Sequence, residues 1–579
     1  MANKTKNNFI KLKKQLIQCV KKEPADTVFK NCRIINVFNG QIERADIAVS
    51  EGIIVGVGDY DGKKEIDLNN AFVAPGLIDT HLHIESTMLS PSHFAAAVLP
   101  HGVTTCIADP HEIANVCGKK GIEYMVKEST TSPMDILYML PSCVPSTPFE
   151  NNGATFNAAF TKKYILNKKI LGLGEFMNTG AVLAGESEAL QKILAATTLN
   201  KPVDGHLVSA TQESINAYVL SNIKTDHENV TAEEAEQKLR LGMYVMLREG
   251  TSTRNLAALQ SVFTPKNIRR LLLCTDDKQV SDIEKRGHLD NNIRMLLEAG
   301  KDITDCITVA TLNACECYCL NDRGAIACGR IADFIVFDDI KNFFIKQVYK
   351  NGTLVAQNGK ALFSAKSLPT KGVLNTMHAT PLSEKQLEIK LKSNKAKVIR
   401  IMPHNVVTFK KIREVNLNQD NIYMATEGLN KICVVERHKY TGNVGLGLIE
   451  NFNIKKGAIA LSVAHDSHNI IAIGDNDDDI VKAINKIISC GGGWTVFSNG
   501  EEKATLPLPI AGLMSDKDAH YVLKTTEELI NYAHELGVPK ETEPFMTLSF
   551  MSLVVIPQLK ITDRGLFDVD AFEFTSLDA

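Results

Sequence analysis

The chain has 579 residues, of which 44% are hydrophobic and 23% charged, and its formal net charge is −3. This length exceeds what a single hydrophobic core serves, so it predicts several domains. A near-neutral chain is a poor match for nucleic acid or an anionic membrane surface. It also has no apolar run of the roughly 18 residues that a spanning helix needs. Its 13 cysteines, with no signal peptide preceding them, are typical of a cytoplasmic protein with free thiols.

The first 75 residues predict a helix followed by β-strands. Residues 1–24 are rich in lysine and predict an amphipathic helical extension. We expect its apolar residues to pack inward: Ile10, Leu16, Ile17 and Val20. Residues 25–75 contain short alternating runs separated by Asn-Gly and Glu-Gly turns, a pattern typical of hairpins. The same pattern returns in residues 323–370, so we predict one small β-sandwich domain built from both flanks of a long insert.

The insert, residues 76–322, alternates short apolar runs with helix-like sequence, as βα units do. It spans about 245 residues, close to the roughly 250 of a (β/α)8 barrel of the TIM type. The eight candidate strands lie in AFVAPGLIDT, VTTCIAD, DILYMLPS, KILGLGEF, KPVDGH, SNIKTDH, MYVMLREG and LLLCTDD. The fifth and sixth are short and polar. Residues 377–579 predict a separate α+β domain, so the whole chain is classed as α/β with a C-terminal α+β addition.

Ionisable side chains stand at or just beyond the C-terminal ends of these eight runs. In chain order they are His81, His83, Asp109, Glu175, His206, His227, Glu249 and Asp276. In a (β/α)8 barrel those strand ends surround a single mouth, where the chemistry takes place. Residues up to 195 positions apart are therefore expected to converge there.

The pair His81 and His83 is the first sign of a metal site. Residues i and i+2 of a strand point to the same side, so both imidazoles can reach one ion. For a single His-x-His pair, two structural histidines near a turn would be the simpler interpretation. Four histidines with Glu175 and Asp276 are too many ligands for one catalytic ion that keeps an open position. They suit two ions that share a bridging carboxylate.

At this point the chain resembles a known group of enzymes. PGLIDTHLH, the later His206 and His227, and Asp276 resemble the amidohydrolase superfamily. Several of its members bridge their two metals with a carboxylated lysine on the fourth strand. Here Lys168 and Lys169 begin that strand, and the resemblance places Glu175 at the bridging position.

A finer resemblance is to the bacterial adenine deaminase family. It rests on HIESTMLSP, ADPHEIANVCG, GEFMN and SVAHDSHNI, together with the long region 377–579 that most amidohydrolases lack. The resemblance implies hydrolysis of adenine to hypoxanthine and ammonia in purine salvage. It also implies two divalent metal ions, with Mn²⁺ favoured over Fe²⁺ or Zn²⁺, held by His81, His83, Glu175, His206, His227 and Asp276.

The resemblance also suggests roles for the remaining acidic residues. Asp276 is expected to move a proton from the attacking water to the departing amino group, the alternative being a helix N-cap. Asp109, His111 and Glu112 are candidates for binding the purine, and Glu112 and Glu249 for holding or protonating a ring nitrogen. N-caps and surface salt bridges are equally simple explanations for these four residues.

Other interpretations of the sequence remain open at this stage. One is a different cyclic amidohydrolase that acts on a ring amide or amidine, and another is a barrel whose site no longer functions. The histidines of HDSH, residues 465–468, have no spacing that places them, and a structural or interface role is preferred. We expect a homo-oligomer, with adenine as its small-molecule partner.

Overall fold

The computed structural model describes residues 2–403 and 406–579. It begins with the helix Ala2–Cys19. The prediction of which side of this helix packs inward is wrong. Three of the residues predicted to pack inward are instead more than half exposed: Ile10, Leu16 and Val20. The polar face packs against the β domain because Gln18 and Lys14 both bond to Asp26, Lys14 at 2.7 Å. Ion pairs and hydrogen bonds thus set the orientation of this helix, which the apolar pattern did not predict.

Both flanks of the insert contribute strands to one nine-stranded sheet within the described chain. The first flank supplies Ala25–Asn36, Gln41–Ser50, Ile53–Gly58, Gly62–Asp67 and Phe72–Pro75. The second supplies Phe334–Phe337, Ile345–Lys350, Thr353–Gln357 and Lys360–Ala361. A bridge between Ile53 and Ile331 makes the sheet curl back on itself, and Phe29, Phe334 and Tyr349 pack ring against ring inside it. The small β domain is therefore built from both flanks, as predicted.

Residues 76–322, all of which the structure describes, contain eight parallel strands. They are Leu77–Leu82, Val103–Ala108, Asp135–Leu140, Ile170–Phe176, Val203–Gly205, Thr225–Asp226, Tyr244–Arg248 and Leu271–Cys274. The first five form one sheet and the last three another. Parallel bridges from Val203 to Ile223 and from Leu82 to Asp276 join the two sheets into a ring. The predicted barrel is confirmed, and its fifth and sixth strands are the shortest.

Helices connect these strands and cover the outside of the barrel. They are Pro91–Val98, His111–Cys117, Lys119–Ser129, Ala158–Tyr164, Thr179–Leu183, Ser187–Thr197, Gln212–Leu220, Ala232–Arg240, Leu256–Leu259, Val280–Arg286, Leu289–Glu298, Ile303–Ala310 and Leu312–Tyr318. Strands covered on both faces become continuously apolar, and all six residues of Val103–Ala108 are buried. Inside the barrel, Ile78, Ile107, Met139, Met246 and Leu272 fill the interior. These apolar side chains fill the interior below the mouth.

The C-terminal region forms an eight-stranded sheet with helices packed on it. In sheet order its strands are Phe409–Glu414, Lys395–Arg400, Val444–Glu450, Leu429–Val435, Ile470–Gly474, Gly457–Leu461, Gly493–Ser498 and Glu501–Pro507. The helices are Asp477–Cys490, Ala519–Glu535 and Pro544–Ser549, and the strands Leu559–Thr562, Gly565–Asp568 and Glu573–Phe574 follow. The predicted α+β character is confirmed, whereas the exact domain boundaries stay a prediction. Within the described ranges, no helix combines the length and apolar character required to span a bilayer.

Candidate active site

His81 and His83, at the C-terminal end of the first barrel strand, point into the barrel mouth. His83 donates a hydrogen bond from Nδ1 to the main-chain carbonyl of Asp109 at 2.9 Å. This bond leaves its Nε2 free to bind an ion, since a ligating imidazole usually donates its other N–H to a carbonyl or carboxylate. The Nε2 atom lies 3.1 Å from Asp276 Oδ1 and 3.4 Å from Glu175 Oε1. His83 is thus oriented toward two carboxylates.

Glu175 lies between two pairs of imidazoles. Its Oε1 is 3.4 Å from His83 Nε2 and 3.9 Å from His81 Nε2. Its Oε2 is 2.8 Å from His206 Nδ1 and 3.3 Å from His227 Nε2. One carboxylate therefore faces a different pair of histidines with each oxygen, which is the arrangement that a bridge between two ions requires.

The buried His81 provides a test of whether a cation fits here. Its Nε2 has no hydrogen-bond partner among the described residues, yet it lies 3.7 Å from Asp276 Oδ1 and 3.9 Å from Glu175 Oε1. An unbonded buried nitrogen that faces two carboxylates suits a divalent ion placed between them. Three overlapping sets have all their ligand atoms within 4.8 Å: His81, His83 and Glu175; His81, His227 and Asp276; Glu175, His206 and His227. All six predicted ligands converge.

Asp276 is held by the guanidinium group of Arg248, a residue that the sequence patterns did not indicate. Its Oδ2 lies 2.7 Å from Nη1 of Arg248, which also donates to Glu228. Burial opposes the charge on Asp276, but Arg248 and His83 outweigh it and keep the pKa of this carboxyl well below its usual range. The carboxylate is therefore ionised and fixed in orientation.

The contacts of Asp109 and His111 are with the ligand residues themselves. Asp109 Oδ2 accepts a hydrogen bond from the main-chain N–H of Glu175 at 2.9 Å. His111 Nδ1 lies 3.3 Å from Glu175 Oε1. Both residues thus adjoin Glu175, and Asp109 fixes its main chain.

Glu112 connects the barrel to the C-terminal domain. His465 Nδ1 lies 3.0 Å from its Oε1, and His468 Nε2 contacts its Oε2. Burial opposes the charge on Glu112, but His465 and His468 outweigh it and hold the pKa of Glu112 well below its usual range. The HDSH segment, which spacing alone did not place, therefore contacts a residue four positions after the second barrel strand ends at Ala108.

The structure does not bring Glu249 to the other predicted site residues. Among the described residues, its buried Oε2 has no hydrogen-bond partner, and no ion pair joins it to a proposed ligand. The preceding residue, Arg248, is the one that reaches Asp276. Adjacent residues of a strand point to opposite faces, so only one of the two can face the mouth.

The fold and this ligand set define a metal-dependent hydrolase of the amidohydrolase family, which uses a divalent metal cofactor. The model of that family matches residues 72–355, and the model of the adenine deaminase C-terminal domain matches residues 405–573. The chain belongs to the adenine deaminase family, because curated members at 41–47% identity match it over nearly its whole length.

Three of these relatives illustrate how much of the chain is shared. The adenine deaminase of Clostridium acetobutylicum is 47% identical over 555 residues, which cover 95% of this chain and 97% of that protein. Adenine deaminase 2 of Desulfotalea psychrophila is 45% identical over 572 residues, covering 98% and 99%. The adenine deaminase of Nitratidesulfovibrio vulgaris strain DP4 is 44% identical over 555 residues, covering 96% of each. The similarity thus includes both the barrel and the C-terminal domain.

Proposed function

We propose that this protein hydrolyses adenine to hypoxanthine and ammonia at a binuclear metal centre, as a step of purine salvage. The observation that carries the proposal is the position of Glu175, whose two oxygens face His81 and His83 on one side and His206 and His227 on the other. The adenine deaminases that share its full length support the choice of substrate.

Two divalent ions are proposed to occupy the centre. His81, His83 and Asp276 would hold the first, His206 and His227 the second, and Glu175 both. Bound there, the ions would lower the pKa of water and polarise the substrate. Mixed imidazole and carboxylate ligands accept several divalent ions. Mn²⁺ is the ion proposed, with Fe²⁺ or Zn²⁺ as alternatives.

Asp276 is proposed to move the proton. Water adds to C6 of adenine, the bond from C6 to the amino nitrogen breaks, and ammonia leaves. The ionised carboxylate of Asp276 accepts the proton of the water and passes it to the leaving amino group. Arg248 holds the Oδ2 atom of Asp276 at 2.7 Å, so the carboxylate keeps its orientation throughout.

The other predicted residues are assigned by their contacts. His111, beside the bridging carboxylate, remains a candidate for binding the purine. Asp109 is proposed to position Glu175, and Glu112 to position the C-terminal domain against the mouth. No contact supports a catalytic role for Glu249.

The cellular setting is also proposed. Free thiols and a near-neutral charge favour a cytoplasmic protein that binds neither nucleic acid nor membrane. The additional C-terminal domain is the reason for proposing a homo-oligomer, and adenine is the proposed small-molecule partner.

The decisive experiment combines a substrate assay with elemental analysis. Protein reconstituted with Mn²⁺ should contain about two ions per chain and release ammonia and hypoxanthine from adenine but scarcely from adenosine. If fully loaded protein leaves adenine unchanged and opens a cyclic amide such as dihydrouracil, the alternative of a different cyclic amidohydrolase holds instead.

A further inference from the structure

A cavity lies between the barrel mouth and the C-terminal domain. The barrel lines it with Glu85, Glu112 and Asp277, and the C-terminal domain with His465, Trp494 and Phe550. Both domains therefore contribute side chains to the same space.

The barrel side of this cavity adjoins the proposed metal ligands. Glu112 Oε1 lies 3.5 Å from Nε2 of His111, the histidine beside the bridging Glu175. A carboxylate oxygen of Asp277 lies within 4.8 Å of ligand atoms of His83 and Asp276. A small molecule in the cavity would therefore lie next to the centre.

Buried polar contacts hold the C-terminal side in place. His465 and His468 bond to the two oxygens of Glu112. His438 donates from Nε2 to the carbonyl of Ser467 at 2.7 Å, which fixes the segment from behind. These buried charge-assisted contacts join the two domains across the cavity. The wall contributed by this domain is thus a fixed part of the cavity.

Two aromatic side chains of that wall are supported on one face. The Trp494 indole stacks on Phe545 with ring centroids 4.5 Å apart and an interplanar angle of 6°. Phe550 stacks on His465 at 4.8 Å and 20°. Because stacking fixes both rings, they offer rigid apolar surface at a small entropic cost.

Three buried polar atoms of the residues that line the cavity have no hydrogen-bond partner among the described residues. They are Nε1 of Trp494, which is a donor, Oε2 of Glu85 and Nδ1 of His468. Leaving such groups unpaired when buried is destabilising. A ligand with both acceptors and donors around its edge would satisfy them.

The cavity thus combines carboxylates on its barrel side with apolar surface on its C-terminal side. Besides the aromatic rings, the apolar part includes Val463 and Leu513 of the C-terminal domain, and Met88 of the barrel adds to it. A planar heteroaromatic base has the matching chemistry, with apolar faces and nitrogen atoms around its edge.

We infer that the C-terminal domain forms one wall of the adenine-binding pocket and that Trp494 contacts the purine ring. This inference rests on the proposed function, because it names the residue that recognises the substrate of that reaction. It also gives the C-terminal domain a role in substrate binding.

The test uses the fact that Trp494 is the single tryptophan of the chain. Hypoxanthine, a purine that is not turned over, is titrated into the Mn²⁺-loaded protein while the indole fluorescence is recorded. We expect a saturable change whose midpoint matches the inhibition constant of hypoxanthine against adenine. Unchanged fluorescence at concentrations that inhibit fully would overturn the inference.

A variant supplies the second readout. Trp494→Phe keeps the stack on Phe545 but removes the N–H and part of the ring. We expect KM for adenine to rise about tenfold, as for loss of a hydrogen bond to a buried group, with kcat within about threefold and metal content unchanged. Tyr521→Leu, which removes a partly exposed aromatic ring of the same domain away from the cavity, should change neither constant.

The outcomes separate this inference from the proposed function. If wild-type protein with full metal content does not deaminate adenine, the proposed function fails. If it deaminates adenine and Trp494→Phe leaves KM unchanged, the inference alone fails. If Trp494→Phe does not fold, Phe550→Leu provides the test, because this variant keeps the tryptophan. The inference then stands only if Phe550→Leu raises KM for adenine and weakens the fluorescence response to hypoxanthine.

Discussion

The main-chain N–H of Glu175 donates a hydrogen bond to Asp109 Oδ2 at 2.9 Å. Asp109 follows the second barrel strand, and Glu175 lies in the fourth. Gly174 makes this bond possible, since a Cβ atom at that position would overlap Oδ2 of Asp109. A glycine before the bridging carboxylate thus lets two neighbouring acidic residues approach each other.

Gly174→Ala is therefore expected to disturb the metal centre. The added methyl group must displace the Asp109 carboxylate, and the hydrogen bond that it accepts from the Glu175 N–H is then lost. We expect at least a tenfold loss of metal affinity, the usual effect of disrupting groups that orient ligands, measured by competition with a chelator. Gly180→Ala is the matched control, because its Cβ would meet only Asn178 Oδ1 at 3.9 Å. Equal affinities in the two variants would contradict the role of Gly174.

Glu175→Gln is expected to lower metal content rather than turnover per bound metal. The neutral amide offers one oxygen in place of two, so it cannot bridge two ions. We expect bound Mn²⁺ to fall from about two to about one ion per chain or fewer, measured by elemental analysis after desalting. Glu213→Gln, on an exposed position of a barrel helix, should retain full content. Full metal content in Glu175→Gln would show that the bridge lies elsewhere.

Asp276→Asn is expected to have the opposite effect. The amide retains the shape of the carboxylate but accepts no proton, so kcat for adenine should fall by roughly 10²- to 10⁴-fold, the range for general acid–base catalysis. Most of the bound metal should remain, since the four histidines and Glu175 persist. If Asp276→Asn loses its metal while Glu175→Gln keeps it, the two residues have exchanged roles.

Lys560 gives the protein a pH-dependent stability. It is fully buried, and its Nζ donates only to the main-chain oxygens of Val406 and Phe550 among the described residues, at 2.8 and 3.1 Å. Burial lowers the pKa of Lys560 to about 7 from the 10.5 of a free side chain. Between about pH 7 and pH 10, the unfolded chain binds a proton that the folded protein has released. The free energy of unfolding therefore rises with pH through this window.

Lys560→Met should remove this dependence. The Tm of the variant should exceed that of wild type by more at pH 7 than at pH 9. The corresponding difference in the free energy of unfolding is expected to decrease by about 2 kcal/mol between these pH values. Differential scanning calorimetry at both pH values measures it. Lys517→Met, at an exposed lysine, should show no such trend. A Tm difference that stays constant from pH 7 to pH 9 would refute the assignment of a neutral Lys560.

Much of the ligand set follows from the sequence because it depends on local periodicity. Eight apolar runs that each end in an ionisable residue predict a barrel mouth, and His81 and His83 point to one side of their strand by its two-residue repeat. The resemblance then placed Glu175 at the bridge. None of these steps requires knowledge of how distant segments pack.

The tertiary structure decided the rest. Whether Arg248 or Glu249 faces the mouth depends on a shift of one residue at the end of the seventh strand, which a short apolar run does not specify. The contact between His468 and Glu112 joins residues 356 positions apart, across two domains whose relative placement no spacing encodes. The sequence by itself therefore predicted the metal ligands, because they follow strand ends, whereas only the packing of two domains brought Trp494 into the same cavity as Glu112.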